Sequence, residues 1–143
     1  MIKVFFDTNV IIDAFSSRDY DYRDSQRLVF KAVNKEIEGY ISSKQITDIY
    51  YILRKYVSDE SVKRQIIKDI TESFNVLPLL PSDTSICLKS EIPDYEDAVL
   101  EEAVSVNCIP FIVTHNVKHF EKARAMVFSP SDLIKYFDSG TFK

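Results

Sequence analysis

Five side chains stand out by type and place: Asp7, Asp48, Asp94, Asp97 and Asn116. Asp7 follows directly on the apolar run of residues 2–6, and a second apolar run, Val10 to Ile12, ends at Asp13. In an open α/β sheet, ligands bind beyond the carboxyl ends of the strands. Asp7 therefore reads either as a turn or capping residue, or as a ligand held rigidly where such folds place their chemistry. Asp48 falls one turn inside a helix among apolar neighbours; it is either an exposed acid favoured by the helix dipole or a second ligand. Asp94 follows Pro93 and is a natural N-cap. Asp94, Asp97 and Glu101 share one side of the helix that starts there, with no Lys or Arg on that helix to pair with them. Helix capping accounts for Asp94 and Glu96; a metal site accounts better for Asp97. Asn116 lies just past the last core strand. Hard oxygen ligands of this kind suit Mg²⁺ or Mn²⁺, and the matching chemistry is metal-assisted phosphodiester hydrolysis.

The elements that must position these groups alternate. Residues 2–6 read as a strand, with Thr8 and Asn9 capping a helix that begins near Val10. A polar, tyrosine-rich loop covers residues 16–24. From Ser25 the residues Leu28, Val29, Ala32 and Val33 recur at helical spacing, and Gly39 is expected to end that helix region. Residues 40–42 form a short strand. Ser43 is the expected N-cap of a helix over 44–57 whose apolar face is Ile46, Ile49, Tyr50, Leu53 and Val57. Ser58 or Asp59 starts the next helix, carried by Val62, Ile66, Ile67 and Ile70. A strand over 74–77 and a helix over 82–90 follow. The helix after Asp94 is expected to face inward through Ala98, Val99, Glu102 or Ala103, and Val106. Residues 111–113 form the last clear buried strand, 117–120 a single helical turn, and 125–128 an edge strand. A last helix opens at residues 129–132, with Leu133, Ile134 and Phe137 inward. Strand–helix alternation of this kind implies an α/β fold: a mostly parallel sheet with helices on both faces.

At 143 residues the chain is expected to form one domain spanning 1–143. Its 45% apolar content supplies a core, and 28% charge with only 2 Gly argues against disorder. A net charge of −4 excludes nucleic-acid binding by bulk charge. A nucleic acid would have to be held by a local basic rim, for which Arg18, Arg23, Lys44 and Lys118 are candidates, and by metal ions that invert the charge of an acidic site. Cys87 and Cys108 suggest no disulfide framework and read as small apolar residues. No signal-peptide pattern or membrane-length apolar run is present, so a cytoplasmic protein is expected.

Asp7 through Asp13, Ile41-Ser42-Ser43 through Asp48, Asp94-Tyr95-Glu96-Asp97-Ala98, and Val113-Thr114-His115-Asn116 through Phe120, in that order, resemble the PIN domain. More narrowly they resemble the VapC-like toxins of toxin–antitoxin pairs. The resemblance covers nearly the full length. It implies a three-layer α/β/α sandwich around a mostly parallel sheet and a Mg²⁺- or Mn²⁺-dependent endoribonuclease acting on RNA. It also implies homodimerisation and inhibition by a cognate antitoxin, whose Arg would enter the carboxylate pocket. Asp7 and Asp97 match the family's acidic positions. Asp48 stands where Glu is commoner, Asn116 where Asp is commoner, and His119 where an acid often precedes Phe120. The implied site is Asp7, Asp48, Asp94, Asp97 and Asn116, with Asp7, Asp48 and Asp97 as metal ligands.

Other readings compete. His115 and His119 are four residues apart, but no HExxH pattern supports zinc; His115 is instead a candidate phosphate contact. A haloacid-dehalogenase-type phosphatase also starts with a strand and an Asp, but it needs a second Asp where this chain has Asn9. The reduced acid count at Asn116 and His119 leaves a non-catalytic PIN-like domain that binds RNA or protein as the alternative.

Overall fold

The computed structural model describes residues 1–16 and 22–140. Its five strands are β1 (Lys3–Phe6), β2 (Glu38–Ser42), β3 (Asn75–Leu77), β4 (Phe111–Val113) and β5 (Met126–Phe128). They form one sheet in the order β3-β2-β1-β4-β5, and every neighbouring pair is parallel. The chain starts in the middle, works outward through β2 and β3, then crosses to β4 and β5 on the other side. The connections diverge between β1 and β4, and that divergence opens a crevice at their carboxyl ends.

The helices are α1 (Thr8–Ser16), α2 (Tyr22–Val33), α3 (Ser43–Leu53), α4 (Glu60–Ser73), α5 (Pro81–Ile86), α6 (Tyr95–Val106) and α7 (Pro130–Asp138). Alternation along the strands sorts them into two layers. Val4 and Phe6 point to one face, where Ile11, Leu28, Ile49, Ile70 and Leu133 bring in α1, α2, α3, α4 and α7. Phe5 and Ile112 point to the other, against Ala98, Val99, Leu100, Ala103 and Val104 of α6. The result is the three-layer arrangement expected, with two cores rather than one. No described helix is long and apolar enough to cross a membrane.

Several local expectations are corrected. The helix over α2 begins at Tyr22 and stops at Val33, well before Gly39. The chain turns there through Lys35, whose φ is +60°. Gly39 lies inside β2 instead, and a Cβ on it would sit 2.7 Å from the Phe74 ring and 2.9 Å from Ala32 Cβ. Close approach, not a helix end, demands the glycine. The N-cap of α3 is Ser42 rather than Ser43, because Gln45 three residues on completes a reciprocal capping box with Ser42. On α6, Leu100, Glu101 and Val104 are buried while Val106 is exposed. Cys108 is exposed and has a φ of +56°, so only Cys87 behaves as a buried apolar residue. Most of the tyrosine-rich loop, including Arg18, lies outside the described residues.

Gly39→Ala is expected to lower stability by about 1–3 kcal/mol, the usual range for overpacking. A urea melt with an unchanged midpoint would show that Phe74 moves aside freely.

Candidate active site

The site is built on the level ends of β1 and β4, where Phe6 pairs with Val113. The next residue on β1's side is Asp7, whose backbone N–H donates to the Val113 carbonyl at 3.0 Å. Asp7 is only 7% exposed. Oδ1 accepts from the Thr8 N–H at 2.8 Å, at the start of α1, and Oδ2 accepts from the buried Thr114 hydroxyl at 2.7 Å. Thr114 also accepts the Asn116 N–H at 2.9 Å. One threonine at the end of β4 thus fixes both Asp7 and the backbone that presents Asn116. Across β1, Gln45 is fully buried and donates to the Phe6 carbonyl at 2.8 Å and to Thr8 Oγ1 at 3.2 Å. That bond ties the start of α3 to the end of β1. Thr114 and Gln45 are positioning groups that sequence reasoning missed. The Ser42–Gln45 spacing carried a capping-box signal for Gln45; Thr114 stands out in sequence only as one of the polar residues at the carboxyl end of a strand, not as the partner of Asp7.

Asp97 comes from the first turn of α6. Asp94 caps that helix by accepting the Asp97 N–H at 3.0 Å, so it sets where Asp97 stands without lining the cavity. The cavity, about 290 Å³, is lined by Asp7, Thr8, Asn9, Asp48, Tyr51, Ile52, Glu96, Asp97 and Asn116. The structure therefore brings together Asp7, Asp48, Asp97 and Asn116 from four separate segments, and adds Glu96, which reads in sequence as an ordinary helix-start acid. Glu101 does not join them. It is buried a turn further along α6, where Arg124 clasps it at 3.0 Å and reaches Glu102 at 2.7 Å. The partner missing from the helix itself comes from the β4–β5 connection. Asp48 is held by Lys44, which also contacts Glu96 at 3.1 Å. Lys44 is therefore inside the acidic cluster rather than free at its rim.

His115 is turned away from the cavity. Its Nε2 lies 2.6 Å from Oδ2 of Asp13, which is 1% exposed, and 3.5 Å from Ser25 Oγ. It links α1 and α2 to the end of β4, and a role as a phosphate contact is not what this geometry supports. His119 is the exposed histidine, with Nδ1 3.5 Å from Asp97 Oδ2.

Crowded carboxylates raise one another's pKa. Burial is the main cause at Asp7, whose pKa is raised even though Thr114 and Thr8 favour its charged form. Asp97 is pushed up to about 6, first by burial, then by the charges of Asp7 and Asp94, with His119 opposing. Among the described residues, no three Asp, Glu, His or Cys side chains converge closely enough to form a ready-made cage. The oxygen donors of Asp7 and Asp97 fit a hard divalent cation. Mg²⁺ is typically bound through one or two carboxylates, keeps several waters, and completes its shell with substrate phosphate. Asp7 and Asp97 are the pair whose mutual repulsion a cation would relieve.

The pH dependence has a definite sign. Asp97 binds its proton more tightly folded than unfolded, so in EDTA it favours the folded state below pH 4, and that contribution is lost as pH rises through about 6. The melting temperature of wild type in EDTA is expected to fall across pH 4–6 relative to Asp97→Asn. Parallel curves for the two proteins would remove Asp97 from the cluster.

A family model described as PIN domain matches residues 3–118. Ribonuclease VapC1 of Aquifex aeolicus (strain VF5) is 33% identical over 79 residues, which are 55% of this chain and 51% of that protein. The chain thus matches about half the length of that curated relative. Among solved structures, a toxin–antitoxin complex from Klebsiella pneumoniae aligns with a TM-score of 0.65 and 22% identity, over 89% of this chain and 97% of that one. VapBC2 from Rickettsia felis, bound to a DNA fragment from its promoter, aligns with a TM-score of 0.65 and 15% identity, over 90% and 98%. At these identities the solved structures speak for the fold. The matched segment runs from β1 to the turn just past Asn116, and the chain belongs to the PIN domain family.

Proposed function

We propose that this protein is a Mg²⁺- or Mn²⁺-dependent endoribonuclease, the toxin of a toxin–antitoxin pair. One observation carries the reading. Two carboxylates, Asp7 and Asp97, both have raised pKa values, and they face one cavity at the divergence point of a parallel sheet. Acids with raised pKa values concentrate at functional sites, and two of them facing one crevice offer the oxygen donors that a cation needs. The name of the Aquifex relative supports RNA as the substrate class.

When bound, the divalent ion supplies positive charge against the phosphate and makes water a better nucleophile near neutral pH. The chain's own residues do the rest. Thr8 and Thr114 hold the two oxygens of Asp7, so the carboxylate is oriented before anything binds. Asn116, presented by the Thr114 bond, offers a neutral amide beside the acids, able to donate to a phosphate oxygen without adding repulsion. Asp97 must be ionised to act as a ligand, so protons compete with the metal below pH about 6.

Purified protein is expected to cut total RNA or tRNA with Mg²⁺ or Mn²⁺ and to stop with EDTA. Asp7→Asn is expected to abolish cleavage. It should also be at least as stable as wild type in EDTA, because one of several mutually repelling charges is gone, and it should gain less from added metal. A mutant destabilised in EDTA but shifted fully by metal would make Asp7 a structural cap. The alternative, a non-catalytic domain that binds RNA or protein, draws on Lys44 already pairing with Asp48 and Glu96. It is selected if RNA binds without being cut in either metal.

For the partner, the exposed Phe30 and Val33 of α2 line an apolar groove of about 430 Å³ with residues of α1 and α4. The Klebsiella neighbour is a toxin–antitoxin complex by name. Co-expression with the adjacent small reading frame is expected to give a stable, inactive complex. Failure to co-purify with either neighbouring product would remove the toxin role and leave the nuclease role standing.

A further inference from the structure

Lys44 is the one cation that the described residues place among the cavity's acids. It lies on α3 one turn before Asp48 and pairs with that residue along the helix. An exposed helical pair of this spacing would be a minor surface feature. Here the ammonium also crosses to Glu96 on α6, at 3.1 Å, and the lysine side chain is only 29% exposed. Both partners line the same cavity as Asp7 and Asp97. The pocket is therefore divided. Asp48 and Glu96 share a built-in positive charge. Asp7 has two neutral donors, and Asp97 has only the exposed His119 nearby.

We propose that Lys44 is an internal counter-ion that sets the metal content of this site at one divalent ion per chain, by holding the Asp48–Glu96 half that a second ion would otherwise occupy. This rests on the metal-binding reading of Asp7 and Asp97. Two carboxylates with access to water can form a partial shell for a hard cation, and the Lys44 ammonium sits between Asp48 and Glu96, where such an ion would stand. Lys44 is a positioning residue in this scheme. It acts through the two acids it holds, and the third of its N–H donors remains for a phosphate oxygen.

The test is to count Mn²⁺ bound to metal-free protein near neutral pH, by calorimetry and by the loss of the free-ion paramagnetic resonance signal. Wild type is expected to bind one ion. Lys44→Met, which keeps the aliphatic stem and removes the charge, is expected to bind two. Lys44→Arg is expected to stay at one, and Lys44→Met combined with Glu96→Gln to return to one. The last pair of results separates charge from packing, since a merely structural lysine would not change the count. Lys44→Gln replaces the Met variant if that variant does not fold. Two ions on wild type, or one ion on Lys44→Met and Lys44→Gln alike, overturns the proposal while leaving the metal site intact. No ion on any of these proteins overturns the metal reading beneath it, and the proposal with it.

Discussion

Asp7 is a carboxylate placed where ionisation is costly, and much of the surrounding architecture exists to hold it there. It follows directly on a central strand, almost wholly buried, and two hydroxyl- or amide-type donors offset only part of its lost hydration. Those donors are available because β1 and β4 are in register to their last residues. Thr114 then falls beside Asp7, and the first turn of α1 supplies the Thr8 N–H. The same geometry raises the pKa of Asp97 across the cavity. Replacing one of these acids with an amide would relieve the strain, so stability alone gives no reason to keep both.

Asp97 itself is fixed by contacts on either side of it that have nothing to do with chemistry. Asp94 caps α6 in front, and behind, the buried Glu101 is clasped by the Arg124 fork, which also takes Glu102. A bidentate guanidinium contact fixes both distance and rotation. With the helix pinned at its cap and at its second turn, Asp97 between them faces the cavity whatever its own charge prefers. Lys44 adds a third tie, from Glu96 back to α3. The acidic face of α6 is thus held at three points by cap, arginine and lysine, and of its two acids on the cavity, Asp97 is the one that no Lys or Arg among the described residues pairs with.

The sequence was informative wherever a local pattern decides the structure. The apolar run ending at Asp7 marks a strand end, alternating strands and helices mark a parallel sheet, and Pro93-Asp94 marks the start of α6; all three hold. What was not legible depends on contacts between distant segments. Spacing puts Asp97 and Glu101 on one side of a helix, but four residues advance it about 6 Å along its axis. That rise carries Glu101 past the cavity to an arginine 23 residues away. Lys44 reads as a rim cation because its second partner, Glu96, is more than a helix and a strand distant in the chain. Gly39 reads as a helix end because glycine often is one; only the packing of Phe74 against β2 shows that space, rather than backbone freedom, is the requirement.

These local charges bear on how an acidic protein would engage a polyanion. The chain carries a net charge of −4, and the cavity adds to the problem, with four carboxylates against the single ammonium of Lys44. Of the other rim candidates, Arg23 packs over the Tyr22 ring and Lys118 is exposed on the turn after Asn116. Two dispersed cations do not overturn a field of that sign, and salt screens them further. On the proposed reading, a divalent ion between Asp7 and Asp97 is therefore needed twice over: for the chemistry, and before it for the phosphate to approach at all. The raised pKa values follow from the same design. A pocket that must accept a cation before it accepts a polyanion is one whose acids, left alone, hold their protons too tightly.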